Sequence, residues 1–262
     1  MKKLIKSIIN KLGFEVYKKG ELSFGVATDT YKINSLNFDK KVYDYQDEAL
    51  TLIRKCAPYS MGSLERMFAL HHLVKYVEES KIAGDYVECG VWKGGNAALM
   101  AGCHLAYSST IYRNVWMYDT YEGLPVPSDE DGIDADNYYK TAVDNDNKQE
   151  LCIADESFVN EVLDDLKFPV SNRVIVKGLF EKTLLLKKPE KIAFLRLDGD
   201  WYESTKVCMN ELYDKVVDGG IIMIDDYGAW EGCKKAIDEF FVDKGIIPLL
   251  HHVDFTCRYY IK

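Results

Sequence analysis

Two apolar runs that end in carboxylates constrain this chain more than any other part of its sequence. One is Leu195-Arg-Leu-Asp-Gly-Asp200 and the other is Ile221-Ile-Met-Ile-Asp225-Asp226. A short apolar run without alternation reads as a parallel strand covered on both faces. An acid at its end then stands on the carboxyl rim of the sheet. One helix-length separates the two runs, so the strands are expected to be neighbours, with Asp198, Asp225 and Asp226 converging on one hard cation. A single strand-end acid would more simply cap the next helix. Two adjacent strands ending alike favour the cation.

The rest of the chain supplies partners for these strands. Tyr86 to Cys89, Val115 to Asp119, Arg173 to Lys177, Ile192 to Leu197 and Gly220 to Ile224 read as strands. Helices are expected over 63–80, with Ser63 as the cap, and over 96–106, 205–217 and 230–241. This alternation predicts an α/β fold, a doubly wound and mostly parallel sheet. The closing runs 246–253 and 255–261 lie one residue apart and read as an antiparallel hairpin at one edge. Residues 126–157 interrupt the rhythm. They are rich in Asp, Asn and Tyr and read as an insertion, either a lid or a disordered loop.

Composition narrows the function. A chain of 262 residues with 47% hydrophobic content suits one large α/β domain. The net charge of -9 argues against nucleic acid as a partner. Residues 1–20 depart from this balance, with six lysines and one glutamate. Leu4, Ile8, Ile9 and Leu12 share a helix face there. The segment is too short and too charged to span a membrane. It is expected to be a packing or dimer helix, so a homodimer is the expected assembly, with weak contact to an anionic membrane surface as the second reading. Residues 14–45 read as an irregular arm, which puts the domain boundary near residue 55. The seven scattered cysteines form no CxxC and no zinc spacing, and suggest reduced thiols and a cytoplasmic location.

Val87-Glu-Cys-Gly90-Val-Trp-Lys-Gly94-Gly95-Asn96 is a glycine turn between strand and helix, but its spacing is not the dinucleotide GxGxxG. Glu88 would repel a pyrophosphate and suits a ligand carrying an ammonium or sulfonium. Asp119, at the end of the second strand, can accept hydrogen bonds from ribose hydroxyls. Gly178-Leu-Phe180 after the third strand could edge an adenine, although Phe180 reads almost as well as core. Tyr202 and Lys206 have the YxxxK spacing of short-chain dehydrogenases, but the tyrosine directly follows a strand end, which argues against that chemistry. The histidines at 71, 72, 104, 251 and 252 read as structural or solvated.

Together, Tyr59-Ser-Met-Gly-Ser63 with Arg66, the glycine turn, Tyr118-Asp-Thr-Tyr-Glu-Gly-Leu-Pro125, Gly178-Leu-Phe180, Leu195 to Thr205 and Gly219 to Tyr227 resemble the macrocin O-methyltransferase (TylF-type) family over residues 55–260. The resemblance implies a class I, Rossmann-like methyltransferase fold that uses S-adenosylmethionine and a divalent metal, normally magnesium. It implies a sugar-bearing small molecule as the acceptor. Carried over by position, Asp198, Asp225 and Asp226 would hold the metal, and Asp198 would also be the general base. Met61 and Ser63 before the first helix would contact the cofactor, as would Glu88, Gly90, Gly94, Gly95 and Asn96 at the glycine turn. Asp119, Thr120 and Gly123 after the second strand, Gly178 and Phe180 after the third, and Asp198 would complete its site. A cofactor-binding scaffold without catalysis and a methyltransferase acting on an aromatic diol are the alternatives.

Overall fold

A computed structural model describes residues 47–110 and 112–262; the expected helix within 1–20 and the arm at 14–45 lie outside them. Five parallel strands build the centre: β1 (Asp85–Cys89), β2 (Val115–Asp119), β3 (Arg173–Lys177), β4 (Ile192–Leu197) and β5 (Val216–Ile224). Two short strands, β6 (His251–His252) and β7 (Arg258–Ile261), complete a sheet of order β3-β2-β1-β4-β5-β7-β6, in which β7 runs antiparallel to β5 and β6 antiparallel to β7. The chain steps outward from β1 to β2 and β3, then returns to the other side of β1 as β4. That reversal opens the crevice between the carboxyl ends of β1 and β4, where doubly wound sheets bind ligands.

Period-two alternation divides the strand side chains between two cores. Tyr86, Met117, Phe194, Ile221 and Met223 join one core, with helices α1 (Asp47–Cys56), α2 (Leu64–Glu79) and α3 (Gly95–Tyr107). Val87, Tyr118, Leu195, Ile222 and Ile224 join the other. Along the chain follow α4 (Gly132–Asp144), α5 (Ser157–Asp165), α6 (Phe180–Leu186), α7 (Tyr202–Leu212) and α8 (Glu231–Lys244). Burying both faces of β4 is what permits its unbroken apolar run. The seven cysteines are unpaired and all but Cys152 are buried. Among the described residues no helix is long and apolar enough to cross a membrane.

Four elements differ from those expected. Residues 126–157 are not irregular throughout: a 3-10 turn at Asp129–Asp131 leads into α4. Asp131 fastens this start, because its Oδ2 accepts from the Ser128 amide and hydroxyl at 2.8 Å each and its Oδ1 accepts the Tyr202 amide at 2.6 Å. The helix formed by 202–212 begins and ends before the expected 205–217, and β5 starts at Val216 behind a register shift opposite Ile192–Phe194. The hairpin is shorter than its apolar runs, because Asp254 Oδ1 accepts the amides of Thr256 and Cys257 at 2.9 Å and shapes residues 253–257 into a turn.

At the amino-terminal rim of β1 and β2 lies a buried ionic knot. Glu78 accepts from Arg113 Nε at 2.9 Å, from His104 Nδ1 at 2.8 Å, and from the Tyr86 hydroxyl. His104 Nε2 accepts the Tyr112 amide at 3.2 Å, which assigns the imidazole proton to Nδ1. The Arg113 guanidinium also donates to the carbonyls of Ile82, at 2.6 Å, and Gly84.

Candidate active site

The crevice is stitched by backbone. Asp198 N donates to Cys89 O at 2.8 Å, tying the ends of β1 and β4. Gly90 has φ +89°, and a Cβ there would stand 1.8 Å from the Asp198 carbonyl oxygen. The glycine is required by this close approach of the protein's own backbone. Gly95 is required in the same way, since its Cβ would lie 2.6 Å from the Tyr59 carbonyl. Residues 57–61 therefore lie across the first turn of α3, and Ser60 Oγ donates to Asn96 Oδ1 at 3.0 Å.

Asp119 organises the glycine turn. Its Oδ2 accepts the amides of Val91 at 2.6 Å and Trp92 at 2.9 Å, and its Oδ1 accepts the Tyr121 amide at 2.7 Å. Trp92 and Tyr121 both have left-handed backbones, with φ 50° and 55°. Both lone pairs of Oδ2 are thereby taken, and Oδ1 keeps room for one further donor, such as a ribose hydroxyl. Gly178 sits beside it, its amide donating to Asp119 O at 2.9 Å.

The acid-tipped strands converge as expected: one carboxylate oxygen from each of Asp198, Asp225 and Asp226 lies within 4.8 Å of the others. At their centre is Arg196, whose Nη1 donates to Glu88 Oε1 and to Asp198 Oδ2 at 2.7 Å each, and whose Nη2 reaches Asp225 Oδ1 at 2.5 Å. Arg66 pairs with Asp225 Oδ2 from the other side. Asp226 Oδ2 accepts the Asp200 amide at 3.2 Å, and Asp200 Oδ1 accepts Trp230 Nε1 at 3.0 Å. Asp200 thus borders the acids, as a loop residue with φ 57°.

Charge at this rim is unbalanced. Two guanidiniums, Arg66 and Arg196, face the carboxylates of Glu88, Asp198, Asp200, Asp225, Asp226 and Asp254. Burial, together with this imbalance, raises the proton affinity of most of these groups. Burial, only partly offset by Arg196, pushes Glu88 up to about 8. Burial and the neighbouring Asp198 push Asp200 to about 8, and burial with Asp200 and Asp198 holds Asp226 well above the carboxylate range. Asp198 rises to about 6, through burial against the pull of Arg196. Burial opposes ionisation of Asp225 too, but Arg196 and Arg66 outweigh it and hold this carboxyl low. A cluster of oxygen ligands with surplus negative charge fits a hard divalent cation.

The cofactor side passes a similar test. Among the described residues, Glu88 Oε2, Trp92 Nε1 and Tyr121 Oη are buried side-chain atoms without a hydrogen-bond partner. An acceptor and two donors left unsatisfied at one end of the crevice fit a polar ligand. The other residues read from the sequence fall into two groups. Glu88, Gly90, Asp119, Asp198, Asp225 and Asp226 come together at the crevice. Thr120 and Gly123 bond to each other at 3.0 Å, Gly123 packs on Leu151, and Phe180 packs into the second core. Ser63 caps α2, accepting the Arg66 amide at 3.1 Å, and donates to Asp254. Gly94 is the left-handed N-cap of α3, and Met61 lies half-buried in the loop before α2. Arg196, Asp254, Trp92 and Tyr121 were not among the candidates. For Arg196 the signal was present: an arginine between two leucines of a buried strand needs a buried anion.

The model of the macrocin-O-methyltransferase (TylF) family matches residues 18–262. The demethyldecarbamoylnovobiocin O-methyltransferase of Streptomyces niveus is 33% identical over 212 residues, which span 78% of this chain and 76% of that protein. The mycinamicin III 3''-O-methyltransferase of Micromonospora griseorubida is 29% identical over 200 residues, 75% of each. The solved O-methyltransferase NovP superposes with a TM-score of 0.69 at 31% identity, covering 78% of this chain and 82% of its own. The calicheamicin methyltransferase CalS11, at 18% identity and a TM-score of 0.59, covers 82% of this chain and 91% of its own and shares the fold.

Proposed function

Since this chain belongs to the macrocin O-methyltransferase (TylF) family and is an O-methyltransferase, we propose that it moves the methyl group of S-adenosylmethionine to a hydroxyl of a sugar or glycosylated small molecule. The observation that supports this most is the junction of two fitted sites at the carboxyl ends of β1 and β4: orphaned polar atoms on one side and surplus carboxylates on the other. In this reading the Glu88 oxygen without a partner accepts the cofactor's ammonium, and Asp119 Oδ1 accepts a ribose hydroxyl.

Asp198 is the base in this reading. Its side chain is 29% exposed whereas that of Asp225 is 4% exposed, so Asp198 alone of these two reaches an incoming acceptor. It receives the hydroxyl proton as the oxygen attacks the sulfonium methyl. The new O–CH3 bond forms while the S–CH3 bond breaks, and the bonding pair stays on sulfur as the neutral thioether product. A free sugar hydroxyl is far too weak an acid for a carboxylate to deprotonate unaided. A divalent cation held by Asp198, Asp225 and Asp226 would supply the positive charge that makes the hydroxyl easier to deprotonate. The remaining contribution of the protein is to align donor and acceptor in line. Residues 126–157, anchored by Asp131, form the acceptor wall, where Tyr138 meets Trp230 edge-on at 5.2 Å.

The test is transfer of isotopically labelled methyl from S-adenosylmethionine to a panel of nucleotide-linked and antibiotic-linked deoxysugars, read by mass spectrometry with magnesium or with EDTA. Labelled product with magnesium and its loss with EDTA are expected. Equal product in both arms would remove the cation from the reading, and label only on a catechol run beside the deoxysugars would remove the sugar.

A further inference from the structure

The turn between β6 and β7 reaches across the molecule to both halves of the site. Asp254 Oδ1 holds the turn itself through the amides of Thr256 and Cys257. Its Oδ2 accepts from Arg66 Nε at 2.6 Å and Ser63 Oγ at 2.5 Å. The same guanidinium donates through Nη1 to Asp225 and through Nη2 to Thr256 Oγ1. A planar fork is the only side-chain shape that meets three partners on three of its nitrogens in this way. Ser63 in turn ends the segment 57–63, whose Tyr59 carbonyl lies on the first turn of α3 and whose Ser60 is bonded to Asn96. One carboxylate therefore sits where two tethers meet. One runs through Arg66 to a carboxylate of the cation cluster. The other runs through Ser63 to the strap over the cofactor-side helix. Burial works against ionisation of Asp254, yet its Ser63, Cys257 and Arg66 partners hold its carboxyl down at about 2. The clasp is thus charged at any working pH.

We propose that Asp254 is a positioning residue that sets the affinity of both sites at once, orienting Asp225 through Arg66 and seating residues 57–63 through Ser63. The cation half of this inference rests on the reading of Asp198, Asp225 and Asp226 given above; the strap half does not. Partners that orient a metal ligand from behind typically change metal affinity by about 10–100-fold when altered.

Asp254→Asn is the cleanest probe. The amide oxygen still accepts from Thr256 and Cys257, so the turn survives, while the amide nitrogen confronts two donors, Ser63 Oγ and Arg66 Nε. Arg66→Lys is the second probe: it keeps the charge but reaches only one of the three partners. Each full-length variant is titrated with Mn2+, followed by electron paramagnetic resonance, and with S-adenosylhomocysteine, followed by calorimetry. Both variants are expected to bind Mn2+ about tenfold or more weakly than wild type and to bind S-adenosylhomocysteine more weakly, with thermal midpoints near that of the wild type. Folded variants whose two affinities match wild type overturn the proposal, even if their melting temperatures fall, because a merely structural turn would lower stability alone. A wild-type chain that takes up no Mn2+ overturns the cation reading instead, and S-adenosylhomocysteine binding then decides the strap.

Discussion

Glu78 and Glu88 are both buried, both bonded to a buried arginine, and held at opposite rims of the same sheet, yet they live in opposite electrostatic worlds. Around Glu78 the chain supplies donors: a guanidinium, an imidazole N–H and two phenols, so the charge is met and its carboxyl sits below the usual range despite burial. Around Glu88 the chain supplies more carboxylates, one arginine is shared three ways, and one Glu88 oxygen goes without a partner. The first arrangement is complete within the protein. The second is left incomplete by the protein itself, and such mismatch is typical of places where stability is given up for activity.

Substitutions should split the two rims. The largest effect is expected from Asp226→Asn. Methyl transfer should fall by about 10³–10⁴-fold if this residue is a ligand of the cation, while the fold should gain about 1 kcal/mol, because an amide is spared the burial among acids that forces this carboxyl to take up a proton. Rate assays beside a thermal melt check both halves; a variant that loses both activity and stability would erase the contrast. Next comes Arg113→Ala in the complete knot. Leaving Glu78 without its guanidinium should cost about 3–5 kcal/mol, seen as a lower denaturation midpoint, with methyl transfer per folded molecule unchanged. A loss of activity at full folding would mean that the two rims communicate.

The smallest effect is in pH. The folded value of Glu78 lies below its ordinary 4.5, so the stabilisation it gives is present above 4.5 and lost as pH falls through the folded value. The folded value of Glu88, about 8, lies above 4.5, so keeping it buried weakens the fold progressively as pH rises from 4.5 to about 8. Glu88→Gln should flatten that second slope in metal-free and cofactor-free buffer, measured as the urea midpoint against pH, and leave the acid limb alone. An unchanged slope would show that Glu88 is ionised in the fold after all.

The parallel core was legible because its signals are local. Val115–Asp119 and Ile192–Leu197 are bounded in sequence where they are bounded in space, since burial on both faces leaves an unbroken apolar run; the edge strand Arg173–Lys177 is only half-buried, but its β-branched Val-Ile-Val centre marks it as well. The acids were legible for the same reason: they end those runs. What bonds to the acids was not. Arg66 and Asp254 lie far from Asp225 along the chain, and nothing in their neighbours announces the contact. Helix α4 escaped because its apolar face is only Ala135 and Ala142, too small to show as periodicity amid Asp, Asn and Tyr. Asp119 was legible as a rim acid but not as the organiser of the glycine turn, because its partners are backbone amides, which carry no sequence signature.

The span of the clasp also fixes when this enzyme becomes complete. Asp254 follows Arg66 by 188 residues, and Arg66 precedes Asp225 by 159. A ribosome that has released the chain as far as Asp226 has already delivered all five parallel strands and every acid of the rim but Asp254, the residue that holds Arg66 in place. Contacts closing loops of this length also form late when a chain folds in free solution. Competence therefore trails foldedness during synthesis: the parallel strands can be assembled first, and the site is drawn taut only once the turn at Asp254 has emerged.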